Sequence, residues 1–122
     1  MRELTDLRVS VDDVVYMPDL NAPVEFPYPF VYFITIHNDS NEVVTIKGRK
    51  WVITDIRGQK IVVEGDGVVG KFPRLAPGES FSYNSCHVAA LDSRAEGAYF
   101  GLTDDGDSVF CRIPMFEMHI PE

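Results

Sequence analysis

The sequence predicts an all-β domain built as a sandwich of two antiparallel sheets, and three observations predict it. Apolar residues recur with a period of two along most of the chain, the pattern of half-buried strands. The runs are short and are separated by Gly, Pro, Asn and Asp clusters suited to tight reversals, which join antiparallel neighbours. No long stretch keeps a helical 3.6-residue apolar period free of Pro or Gly, apart from one turn around residues 89–94. Two half-apolar sheets bury their surface by packing face to face, hence a sandwich.

Taken in order, Leu7-Arg8-Val9-Ser10-Val11 alternates and sets Leu7, Val9 and Val11 on one strand face. Residues 18–29 hold four prolines, which excludes a central strand and predicts a long exposed connection. Residues 30–36 form an apolar and aromatic run with one Thr, too short and too β-branched for a helix; they predict a central strand buried on both faces. Further strands are predicted at 43–46, 50–55, 60–64, 80–85, 98–103, 108–113 and 115–120. The reversals fall at Asn38-Asp39-Ser40-Asn41, Arg57-Gly58, Ala76-Pro77-Gly78-Glu79 and Asp104-Asp105-Gly106-Asp107. Trp51 and Ile53 share a face, which assigns Trp51 to core packing between the sheets.

A chain of 122 residues is one domain, 1–122, able to bury a core without metals or disulfides. Its 11 Lys and Arg against 19 Asp and Glu give a net charge of −8, a field that repels nucleic acid and anionic membranes. No apolar run approaches the roughly 20 residues that span a bilayer, so membrane insertion is not expected. Met1-Arg2-Glu3-Leu4-Thr5-Asp6 does not read as a secretory signal, and a cytoplasmic location is the expectation. Cys86 and Cys111 lack metal-ligand spacing and are expected as buried, reduced thiols.

The conspicuous motif is Gly65-Asp66-Gly67-Val68-Val69-Gly70, which has the Gly-x-Gly-x-x-Gly spacing of dinucleotide sites. That chemistry needs a helix starting at the motif, and Lys71-Phe72-Pro73 with Pro77-Gly78 beyond forbids one. Two roles stay open: a glycine-rich connection, or a loop whose backbone amides form an anion-binding concavity. Residues 47–74 carry seven bases and three acids, a local balance of +4 on an otherwise acidic chain. Either a positive patch surrounds the loop, or the bases simply occupy a solvated strand face.

Other constellations are weaker. Ser85-Cys86-His87 sets a nucleophile beside a base, but adjacent strand residues point to opposite faces. A Cys86 nucleophile would need His37 or His119, brought to it by the fold. The three histidines are dispersed, so no transition-metal site is expected. Asp104, Asp105 and Asp107 could offer oxygens to a divalent cation but lack the spacing of an EF-hand; a hairpin turn is the expectation.

Several segments, in this order and spacing, resemble the ApaG domain family. They are residues 49–55, Gly58, the glycine motif with Lys71-Phe72-Pro73, Leu75-Ala76-Pro77-Gly78-Glu79 and Phe81-Ser82-Tyr83-Asn84-Ser85. Gly97-Ala98-Tyr99 and residues 110–116 are similar to that family's closing strands, so the resemblance spans about residues 7–120. It implies a fibronectin type III-like or immunoglobulin-like β-sandwich. It also implies a link to cobalt and magnesium efflux, the label bacterial members carry, and a protein-recognition role like that of related domains in eukaryotic F-box proteins. Proposed nucleotide or pyrophosphate binding at the family's glycine loop would fall here on Gly65, Gly67 and Gly70.

The expectation is therefore a non-enzymatic binding module with no catalytic residue, metal or cofactor, engaging a protein partner through Gly65, Gly67, Gly70, Lys71 and Arg74. The alternative at the same residues is a small-anion site for pyrophosphate or a nucleoside phosphate, with Mg²⁺ as a bridge and weak hydrolysis as its furthest extension. Pairing of strand edges between copies would make a homo-oligomer.

Overall fold

The computed structural model describes residues 1–122 and contains nine strands and no helix. They are β1 (Arg2–Glu3), β2 (Leu7–Tyr16), β3 (Tyr28–Asn38), β4 (Val44–Asp55), β5 (Lys60–Asp66), β6 (Arg74–Leu75), β7 (Ser80–Ala89), β8 (Ser93–Thr103) and β9 (Ser108–Met118). One sheet runs β2-β3-β7; the other runs β1-β9-β8-β4-β5, with β6 pairing β4 at Val44 and Thr45 beyond the reach of β5. Every pairing is antiparallel except β1 with β9. This is the predicted antiparallel sandwich of fibronectin type III type.

The core lies between the sheets around Trp51 of β4. Its ring stands 5.0 Å from that of Tyr32 on β3 and 5.7 Å from that of Phe116 on β9. Alternation places these residues. On β3, Phe30, Tyr32, Ile34 and Ile36 are buried while Val31, Phe33 and Thr35 on the outer face are half-buried, so the expectation of burial on both faces is corrected to one.

Three strands change the phase of their alternation, and each does so at a bulge, where one extra residue shifts every later side chain to the other face. β2 buries Leu7 and Val9, then turns Val14 and Tyr16 onto the core after a shift between Val11 and Asp13. β4 buries Val44 and Ile46, then Trp51 and Ile53, with a shift between Ile46 and Gly48. β9 buries Val109, Cys111 and Ile113, then Phe116 and Met118, across Pro114 and Met115 opposite Glu96. The predicted pairs 43–46 with 50–55 and 108–113 with 115–120 are thus single strands. Proline is tolerated at 114 because the bulge already removes a ladder bond.

Other boundaries also move. Tyr28 and Pro29 belong to central β3, so the proline-rich connection ends at residue 27. The Pro29 carbonyl accepts from Met17 N–H at 3.0 Å, so the peptide edge that lacks a donor faces the place where β2 is ending. The turn around 89–94 is a short connection between β7 and β8, both longer than predicted. The two-residue strands β1 and β6 carry no alternation and were not foreseen. Both cysteines are free, but only Cys111 is buried; Cys86 lies on the outer face of edge strand β7.

Candidate functional site: the glycine turn

The hairpin of β4 and β5 runs past its ladder into a tight turn. Gly67 N–H donates to the Lys47 carbonyl at 2.8 Å, extending the pairing by one residue. Val68, fully buried, anchors the next step by exchanging both backbone bonds with Lys71 at 2.8 and 2.9 Å. Between them Val69 and Gly70 both have positive φ, 46° and 77°, the pattern of a type I′ turn. Glycine adopts that conformation freely, whereas a β-branched residue there is a strained outlier. A Cβ on Gly67 would lie 2.3 Å from the Lys71 carbonyl oxygen, so this glycine lets the turn close.

Arg49 of β4 fixes the turn from the side. Its Nη1 donates to the carbonyls of Asp66 at 2.9 Å and Gly67 at 3.2 Å. The tip is apolar and exposed: Val69 is 48% and Phe72 53% accessible, and the Lys47 ammonium lies 5.8 Å from the centre of the Phe72 ring.

Of the predicted site residues, Gly67, Gly70 and Lys71 share this turn, and Gly65 lies just before it in β5, opposite Arg49. Arg74 lies in β6, where its guanidinium pairs with Asp104 at 2.5 Å. The positive balance of residues 47–74 is partly internal: Lys50 meets Glu64 at 3.6 Å and Arg49 holds backbone carbonyls, while Lys47 and Lys71 make no ion pair. The amides of Gly67, Val68 and Lys71 are likewise committed within the hairpin. What the turn offers outward is an apolar tip flanked by two lysines. Sequence reasoning missed Val69, Phe72 and Arg49. Val69 carried no recognisable signal, because type I′ turns favour Asn-Gly or Asp-Gly and a β-branched residue before Gly70 argues against one.

The weaker constellations stay apart. His87 is buried in the core, 4.6 Å from the rings of Tyr32 and Trp51, while Cys86 points outward with its thiol pushed up by burial. His37 contacts Ser10 Oγ at 3.0 Å and His119 contacts Glu117 at 2.7 Å. Asp104 is held by Arg74, and no group of three or more His, Cys, Asp or Glu is placed to hold a metal. Desolvation drives the Cys111 thiol up to about 12 and the His87 imidazole down to about 4. Cys111 is thereby held as the unreactive thiol, and His87, though neutral, is a weak base enclosed in the core.

A family model for the ApaG domain matches residues 18–101, a span that includes the glycine turn. The chain belongs to the ApaG domain family. It is 41% identical over 115 residues to Protein ApaG of Shewanella pealeana, covering 93% of this chain and 91% of that one. Against Protein ApaG of Acidovorax sp. the identity is 40% over 102 residues, covering 83% and 74%. The crystal structure of the ApaA protein from Bordetella pertussis superposes with a TM-score of 0.84 at 32% identity, covering 100% of this chain and 99% of that one. A second X-ray structure gives a TM-score of 0.85 at 30% identity over 95% and 88%. In this ApaG domain the two-sheet sandwich carries the glycine turn directly after β5.

Proposed function

We propose that this ApaG domain is a cytoplasmic, non-enzymatic module that binds a protein partner through the glycine turn. The observation that carries this is Val69: a β-branched residue held at φ 46° and left 48% exposed beside Phe72. Strain of this kind persists only where the surroundings impose it, and here Arg49 and the Val68–Lys71 bonds impose it. A rigid apolar tip loses little entropy on docking. Lys47 and Lys71 beside it fit a partner that brings an apolar pocket rimmed by Asp or Glu.

The competing small-anion role at Gly65, Gly67, Gly70, Lys71 and Arg74 draws less support. Three of the turn's amides are committed within the hairpin, and Arg74 is paired with Asp104. No helix of the chain is long and apolar enough to cross a membrane. The family's link to cobalt and magnesium efflux would therefore be exercised through the partner.

Capture from a lysate with quantitative mass spectrometry tests this. Phe72→Ser and Lys71→Glu should each reduce recovery of the specific partner at least tenfold while the melting temperature stays within about 2 °C of wild type. Recovery unchanged by both substitutions would overturn the proposal.

A further inference from the structure

β5 leaves one edge of the larger sheet open. It pairs only with β4, in continuous register from Gly48↔Asp66 to Thr54↔Lys60. The bonds just outside that ladder, Asp55 N–H to the Gln59 carbonyl at 3.0 Å and Gly67 N–H to the Lys47 carbonyl at 2.8 Å, fix its parity. Bonded positions alternate in an antiparallel pair, so Ile61, Val63 and Gly65 turn their peptide groups toward β4. Lys60, Val62 and Glu64 turn theirs outward, where nothing in the chain takes them up. Val62 is 53% exposed, and the strand has neither bulge nor proline to blunt it. The other sheet's edges differ: β2 is interrupted by its bulge at Asp12, and β7 presents Ser82 and Asn84.

The strand is also complementary to itself. Residues 60–64 read Lys-Ile-Val-Val-Glu, so a two-fold axis at Val62 sets Lys60 opposite Glu64 twice and Ile61 opposite Val63 twice. Charge and backbone parity agree on this register. Val62 points its peptide groups outward, so Val62 against Val62 and both Lys60–Glu64 pairs are bonded positions, giving about six backbone hydrogen bonds. Sliding one strand by two residues moves the axis to Ile61 or Val63 and breaks both Lys60–Glu64 pairs, and sliding it by four puts the axis at Lys60 or Glu64 and opposes like charges.

We infer that two copies of this chain associate as a two-fold symmetric dimer through antiparallel β5–β5 pairing centred on Val62. The two larger sheets become one continuous sheet, with Ile61 and Val63 of each copy meeting the other's beneath it. The contact is short, so the dimer is weak, with a dissociation constant on the order of 100 µM. The inference rests on β5 and is independent of the partner role of the glycine turn.

Sedimentation equilibrium of the full chain at about 50 mM salt, from about 10 µM to 1 mM, tests it. Wild type should pass from monomer to dimer over that range. Lys60→Glu sets two carboxylates against each other at both charged pairs, and Glu64→Lys sets two ammonium groups there; each should weaken association at least tenfold. Both sites are exposed, and circular dichroism melts check that the variants fold. Mixing the two variants in equal amounts should restore dimers, since each then meets the opposite charge at both positions. A wild type that stays monomeric at about 1 mM, or a dimer indifferent to both substitutions and to their mixing, would overturn the inference.

Discussion

The guanidinium of Arg49 occupies the space where a side chain on Gly65 would begin: a Cβ at residue 65 would come within 2.7 Å of Arg49 Nη1. Gly65 is therefore what lets Arg49 reach the carbonyls of Asp66 and Gly67 and brace the turn. Gly65→Ala should displace the guanidinium, leave those carbonyls to water and destabilise the domain by about 1 kcal/mol. Amide exchange at Gly67, Val68 and Lys71 should quicken, and Arg49→Ala should do the same. Exchange rates unchanged in both variants would mean that Arg49 does not brace the turn.

Val69 offers a sharper test, because stability and binding should move in opposite directions. Val69→Gly removes the left-handed strain and should stabilise the domain by about 1 kcal/mol, raising the melting temperature by a few degrees. It also removes an exposed apolar contact and loosens the tip, so partner recovery should fall. A lower melting temperature would show that Val69 is not strained as argued.

His87 makes the fold sensitive to mild acid. It is buried among Tyr32, Trp51 and Phe116, its Nε2 has no hydrogen-bond partner, and desolvation lowers its pKa from 6.5 to about 4. The unfolded chain then binds a proton below pH 6.5 that the folded chain refuses until about pH 4, so stability is full above 6.5 and falls with pH across that window. The shift corresponds to a loss of about 3 kcal/mol. Urea melts between pH 7 and 4 should show this slope in wild type and a flatter one in His87→Leu.

Gly97 carries a fold prediction. A Cβ there would meet the Lys50 carbonyl oxygen at 2.1 Å and Trp51 Cα at 3.2 Å, all backbone that cannot yield cheaply. Gly97→Ala should force β8 from β4 and cost about 3 kcal/mol or more, measured by urea denaturation. A loss under about 1 kcal/mol would mean the strand pair adjusts freely.

The fold was legible because alternation is a local property: Leu7, Val9, Trp51 and Ile53 declare their faces within a few residues. Alternation also explains the errors. A bulge reverses its phase, so one bulged strand reads as two that meet, at Lys47 to Arg49 in β4 and at Pro114 in β9. Pro29 looked prohibitive because its safety depends on β2 ending at Tyr16, a tertiary fact. At the site, glycine spacing located the turn, but the roles of Arg49 and Arg74 were hidden. Composition counts both as positive charge near a loop; only the fold gives one to the backbone carbonyls of residues 66 and 67 and the other to Asp104.

Under the proposed function the glycine turn meets its ligand with side chains rather than with anion-binding amides. An amide-resolved NMR titration of the labelled domain with pyrophosphate and GTP, with and without Mg²⁺, tests it most directly. No saturable shifts are expected at residues 65–74. Saturable shifts confined to that segment would contradict the proposed function and establish the glycine turn as an anion site.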